Sequence, residues 1–395
     1  MPDPAACISR PALEALAQAL VRLPSRSGQE AAIAQCVAAE MRRIGLEVRT
    51  DPMGNVIGRL GPGSGRKLLY DAHLDTVDIG DPSQWQRPPF GGVVEDGILY
   101  GRGACDTKGA IAAMLAAAQA LVECGVALHG DLYLACVVQE EPCEGLAIRH
   151  VIEGEGIRPD WVVIGEPTNL HIARGQRGRM EIDIAVHGRA SHASAPDRGV
   201  NAIYEAARLV VGIELLAPLL ANDSFLGPGT IAVTEVRSTA SSRNAVPDLC
   251  TLCVDRRLTV GETEARALAE LRRVLAREGL QATLEVATTE CVSYTGYRSQ
   301  LRQVYPYWVT GADAWLTQQV AQTVEDMLGF VPHIGRWDFS TDGVYTAGVA
   351  GLPTIGFGPG EERYAHTVEE QVRLADLEAA ARVYAALAAR LLGRP

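Results

Sequence analysis

The chain has 395 residues, 47% of them hydrophobic and 21% charged, which suits a soluble globular protein of more than one domain with a large core. Its formal charge of −12 argues against a nucleic-acid or anionic-membrane partner, because neither attracts such a surface. No apolar run is long enough to span a bilayer, and the stretch 13–23 is broken by Glu14, Gln18 and Arg22, unlike a secretory leader.

In chain order, Ser27-Gly28-Gln29-Glu30 reads as a capping box ahead of a helix over 31–43. Short unbroken apolar runs follow, each ending in polar residues. Lys67-Leu68-Leu69-Tyr70 leads to Asp71-Ala72-His73-Leu74-Asp75. The run 132–138 leads to Gln139-Glu140-Glu141, and Trp161-Val162-Val163-Ile164-Gly165 leads to Glu166-Pro167-Thr168. Pro353-Thr354-Ile355-Gly356-Phe357 leads through a Gly/Pro loop to His366. Such runs suit strands buried on both faces. An Ala-rich helix fits 106–124 and another fits 314–328, so the pattern predicts an α/β fold with a largely parallel central sheet flanked by helices.

The middle of the chain changes period. Met180, Ile182, Ile184 and Val186 alternate with polar or small residues, predicting a strand with one wet face. A helix over 200–216, strands over 230–236 and 249–254, a helix over 263–279 and a strand over 282–287 complete a β-α-β-β-α-β, ferredoxin-like unit. This predicts an inserted lid over 179–292 within a catalytic domain of 1–178 and 293–395. The Tyr-rich stretch 293–313 fits no element. Nine cysteines, an odd number without pairing logic, predict reduced thiols and a cytoplasmic address. Cys250 and Cys253, a lone CxxC, lack the second half of a structural zinc site.

His73, Glu141, Glu166 and His366 each follow a strand-like run, and Asp106 precedes a helix. Strand C-termini of an open α/β sheet open onto one crevice, so these residues converge there. Two imidazoles and three carboxylates suit Zn²⁺, Mn²⁺ or Co²⁺, and they suit two ions about 3.5–4 Å apart if one carboxylate bridges. Asp75 lies two residues beyond His73 and would hold the imidazole edge turned away from the metal. Asp106 lies in Gly101-Arg102-Gly103-Ala104-Cys105-Asp106-Thr107-Lys108-Gly109, which lacks the spacing of a nucleotide-binding phosphate loop. Of the adjacent Glu140 and Glu141, one would bind metal while the other serves as general base. Read singly, these pieces are ordinary: a structural HxD, a solvated Glu-Glu loop, a loop histidine.

Together they resemble the metallopeptidase M20 family, the relatives of acetylornithine deacetylase, succinyl-diaminopimelate desuccinylase, aminoacylase-1 and bacterial glutamate carboxypeptidase. The match rests on His73-Leu74-Asp75, Gly101 to Gly109 with Asp106, Glu140-Glu141, Glu166-Pro167, Gly188 to Pro196 with His192, Asn244 to Pro247, and His366. The stretch from Asp71 to Lys108 is most similar to a branch of hydrolases linked to selenium metabolism. The resemblance implies that His73 and Glu166 hold one metal, that Glu141 and His366 hold the other, and that Asp106 bridges. It also implies a cis peptide after Asp106, Glu140 as general acid/base, and His192 as oxyanion donor, supplied by a partner subunit in dimeric relatives. Asn244 and Arg257 would contact substrate, Arg257 by gripping a carboxylate. The implied activity is hydrolysis of an N-acyl amino acid or short peptide by a homodimer joined through its lid, with zinc (cobalt or manganese as alternatives). A carbamoyl-amide hydrolase and a non-catalytic relative are the competing readings. Gln176-Arg177-Gly178 and Gly360-Glu361-Glu362 depart from the desuccinylase pattern and weigh against a dicarboxylate substrate.

Overall fold

The computed structural model of the chain describes residues 3–393. Helix α1 (Arg10–Val21) and helix α2 (Ala31–Ile44) precede strands β1 (Glu47–Thr50), β2 (Val56–Leu60) and β3 (Lys67–His73). Helix α3 (Lys108–Glu123) then leads to β4 (Asp131–Val137), β5 (Trp161–Ile164) and β6 (Ile172–Gln176). Helix α2 stops where Gly45 takes a left-handed conformation (φ 102°) that a side chain would disfavour. Helix α3 is buried along most of its length, and its alanines let it pack closely between β3, α1 and the last helix.

The inserted unit holds β7 (Gly178–His187), α4 (Ala202–Leu216), β8 (Thr230–Ser238), β9 (Leu249–Leu258), α5 (Glu264–Glu278) and β10 (Ala282–Val286). Its strands run in the order β8-β9-β7-β10, all antiparallel. Asn201 and Thr263 cap the two helices by accepting the amides of Ile203 and Arg266. The inward residues of β7 and β9, including Ile182, Ile184, Leu252 and Val254, pack on α4 and α5 in a core separate from that of the larger sheet.

The stretch 293–313, which fitted no element, supplies the turn and second strand of a hairpin, β11 (Thr288–Val292) and β12 (Arg298–Arg302), whose first strand precedes it, and then the short β13 (Trp308–Val309). The hairpin rests on the turn between β1 and β2, with the Tyr294 hydroxyl donating to the Gly54 carbonyl (3.2 Å). Helix α6 (Trp315–Leu328), β14 (Ile334–Trp337), β15 (Thr354–Gly356) and α7 (Leu374–Leu392) complete the fold.

The large sheet runs β1-β2-β4-β3-β5-β15-β6-β13, with β14 also on β6. Its centre, β4-β3-β5-β15, is wholly parallel, as the apolar runs predicted. Its flanks are not, so the sheet is mixed. A short turn joins β1 to β2, and only an antiparallel pair accepts so short a connection. The central register sets His73 beside Val137 and Asp71 beside Ile164, and Ile164 in turn beside Gly356, so four C-terminal ends lie at one edge.

Two expectations are corrected. Cys7 and Cys124 form a disulfide across 117 residues, so not all thiols are reduced; the other seven are free. The cysteine count therefore no longer supports a cytoplasmic address. The Ser27/Glu30 capping box does not form, since Glu30 itself is the N-cap of α2 and its side chain makes no cap hydrogen bond. Among the described residues no helix is long and apolar enough to cross a membrane.

Candidate metal centre

At that edge two groups of potential ligands meet, His73 with Asp106 and Glu166, and Glu141 with His366 and the same Asp106. One Asp106 oxygen lies 2.7 Å from His73 Nε2 and the other 3.1 Å from His366 Nε2. His73 Nε2 is also 3.4 Å from Glu166, and His366 Nε2 is 2.9 Å from Glu141. Each oxygen of Asp106 thus serves a different imidazole, the arrangement a bridging carboxylate needs. Strand β3 delivers His73, the turn after β5 delivers Glu166, and the loop after β4 delivers Glu141. His366 comes from the loop beyond β15. The peptide between Asp106 and Thr107 is cis.

The electrostatics fit a pair of cations. Burial and the Asp106 charge push Glu166 up to about 7, and the same causes raise Glu141. Burial works against ionisation of Asp106, yet His73 and His366 hold it below the usual carboxylate range. Burial pulls His73 down, but Asp106 and Glu166 outweigh it and leave the imidazole raised. Hydrogen bonds to Asp106 and Glu141 bring His366 to about 10. Crowded carboxylates and deprotonatable imidazoles are what divalent ions take as ligands.

The other named residues are placed as follows. Glu140 is buried, its Oε1 has no hydrogen-bond partner, and burial raises its pKa. It lines a cleft of about 340 Å³ together with Asp106, Glu141, Glu166, His366, Glu144, Arg179, Arg257 and Glu362. The Asp75 carboxylate does not hold His73. The Nδ1 of His73 meets the Asp75 backbone carbonyl (2.9 Å), while the side chain stands 3.8 Å away and accepts the amides of Glu140 (3.0 Å) and Glu141 (3.3 Å). The physical reason is that β3 ends at His73, so the alternation of a strand no longer sets the direction of Asp75. The carbonyl still fixes the tautomer, leaving Nε2 free to bind.

Arg257 sits in the cleft, opposite Arg179 across the β7–β9 ladder, but Asp255 already grips it through two hydrogen bonds (2.8 and 3.1 Å). His192 and Asn244 are not among the residues lining the cleft. Both are exposed and lie together at the margin of the inserted unit, where Ala193 N donates to the Asn244 carbonyl (2.8 Å).

Sequence reasoning missed three residues that shape the site. Glu370 accepts the amides of Cys105 and Asp106 (both 3.1 Å) and pairs with Arg102 (2.5 Å), fixing the loop that carries Asp106. Asp342 accepts the amide of Gly145 (2.7 Å), and burial brings it to about 6. Glu144 lines the cleft and pairs with Arg179 (2.7 Å). Glu144, three residues past Glu141, was the one within reach of local spacing; Asp342 and Glu370 act on partners 197 to 268 residues away.

Known proteins resemble the chain over most of its length. Residues 69–390 match the model of "Peptidase family M20/M25/M40". The chain is 39% identical to the uncharacterised protein YgeY of Escherichia coli over 93% of this chain and 91% of that one. It is 28% identical to the succinyl-diaminopimelate desuccinylase of Alkalilimnicola ehrlichii, covering 96% and 98% of the two chains. Among solved structures, the aminopeptidase PepT of Bacillus cereus shares the fold, with a TM-score of 0.77 at 21% identity over 97% of this chain and 99% of that one.

Proposed function

Since the chain belongs to peptidase family M20/M25/M40 and is a metallohydrolase acting on amide bonds, we propose that it hydrolyses N-acyl amino acids or short peptides through Glu140. The observation that carries this reading is the unpartnered carboxylate oxygen of Glu140 in the same cleft as two ligand groups sharing Asp106. His73, Asp106 and Glu166 would hold one ion and Asp106, Glu141 and His366 the other, with zinc the best fit to the N/O donor set and cobalt or manganese as alternatives. When bound, such a pair would polarise the scissile carbonyl and bring the pKa of a water near 7.

The chain's own residues do the rest. Glu140 takes the water proton on its free oxygen and returns it to the leaving amine. Asp75 holds the amides of Glu140 and Glu141, so the base and one ligand move as a unit. Arg257 would turn from Asp255 to a substrate carboxylate.

His192 and Asn244 would serve the cleft of a second copy of the chain. Tyr204, Val211 and Leu215 form an exposed apolar stripe on α4, and the edge of β8 away from β9 is unpaired among the described residues. Both features suit self-association through the inserted unit, which acts as the lid.

The test is a panel of N-acetyl, N-formyl, N-succinyl and N-carbamoyl amino acids with dipeptides, in Zn²⁺, Co²⁺ and Mn²⁺. Turnover of an N-acyl amino acid or dipeptide that vanishes on chelation supports the reading. Turnover of the carbamoyl compounds alone would replace it, and none across the panel would overturn it.

A further inference from the structure

The segment ahead of α2 carries two polar side chains that the helix does not use. The Ser27 hydroxyl donates to Asp75 (2.7 Å), the carboxylate that holds the Glu140 and Glu141 amides. Glu30 is fully buried. Its Oε1 accepts the Gly28 amide (3.0 Å), the Gln139 amide (3.2 Å) and the Gln139 side-chain amide (3.4 Å). Its Oε2 has no partner, and Glu30 makes no ion pair among the described residues. Burial, then the charge of Asp75, bring its pKa to about 7. A buried carboxylate without a counter-ion opposes folding, so stability does not account for it.

Gln139 does. Its φ is 59°, a left-handed conformation that few residues other than glycine adopt, and it immediately precedes Glu140. Two of the three groups on Oε1 belong to Gln139, and Cys291 of β11 donates to its side-chain oxygen (3.2 Å). The loop after β4 is thus turned at one residue and clamped from outside. We propose that Glu30 is a positioning residue for the reaction, its carboxylate fixing Gln139 in the turn that presents Glu140 to the metal cleft. This rests on Glu140 being the base.

The test compares Glu30→Ala and Glu30→Gln with the wild type. Hydrogen–deuterium exchange is followed in metal-free and zinc-loaded protein, and kinetics use the best substrate of the panel. Glu30→Ala is expected to speed exchange of the amides of 139–145 about tenfold while β3 and β5 stay protected. Its kcat should fall about tenfold to a hundredfold, with KM and zinc content unchanged, because a small misplacement of a catalytic group is costly. Glu30→Gln keeps an acceptor oxygen and should recover most of both losses. Wild-type exchange in Glu30→Ala would overturn the proposal. So would faster exchange spread evenly over α2, β3 and β4, or a Gln variant no better than Ala. Glu140→Ala, measured alongside, separates the two ideas. If it stays active, the base assignment fails; if it is dead while both Glu30 variants match wild type, only the role of Glu30 fails.

Discussion

The two largest sheets of the molecule dispose of polar groups in opposite ways. In the large sheet, β4, β5 and β15 are buried at every position and β3 at all but its first. Neither face is wet, so the charged residues of these strands stand at or near their ends (Lys67, Asp71, His73 and Asp131), and the parallel order brings the C-terminal ends together. In the inserted unit, β9 alternates buried and half-buried residues along its whole length. Charge spreads over its open face instead. There burial and the neighbouring Glu181, Glu285 and Glu235 raise Asp183, with no metal-ligand group formed among the described residues. Density of charge alone does not make a site. Convergence of strand ends, with imidazoles among the carboxylates, does.

Substitutions sharpen that contrast. The largest effect is expected at the parallel edge: Glu140→Ala should lower kcat about a thousandfold while retaining fold and metal. Normal turnover in that variant would remove Glu140 as the base. A smaller effect is expected from the inserted unit's contribution to chemistry. His192→Ala should lower kcat about a hundredfold, as loss of one oxyanion donor does, without shifting Tm, because the residue is exposed. Mixing His192→Ala with Glu140→Ala chains should then restore about a quarter of wild-type activity, since half of randomly paired dimers carry one complete site. No recovery on mixing would place His192 in its own chain's site or outside the reaction. The smallest effect on rate belongs to the unit's core. Ile182→Ala removes a fully buried side chain and should cost about 2–5 kcal/mol of stability. Its folded fraction should still turn over within about threefold of wild type, because the cavity lies away from the reacting atoms. A collapse of kcat at full folding would show that the two sheets are mechanically coupled.

Much of this was legible in the sequence because it rests on patterns that neighbouring residues share. The change from unbroken to alternating apolar runs marks the passage from β5 to β7. The polar residues closing each run mark His73, Glu141 and Glu166. What escaped depends on distance. Ser27 and Glu30 have the spacing of a local cap, yet their partners lie 48 and 109 residues away and win. Asp75 follows the right residue type, but the strand stops before it, and its carbonyl takes the place assigned to its carboxylate. The antiparallel flanks and the Cys7–Cys124 bridge depend likewise on which segments become neighbours. The hairpin of β11 and β12 is mostly exposed and lacks a strong apolar alternation, so its period gives little signal.

The central claim is that Asp106 joins two cation sites at the parallel edge. Metal analysis of zinc-saturated, dialysed protein tests it most directly, with anomalous diffraction to locate the ions. The wild type should hold close to two ions per chain, one between His73 and Glu166 and the other between Glu141 and His366. Asp106→Ala should retain neither site at full strength. A single ion in the wild type, ions bound elsewhere, or an Asp106→Ala variant that still carries both would contradict the account.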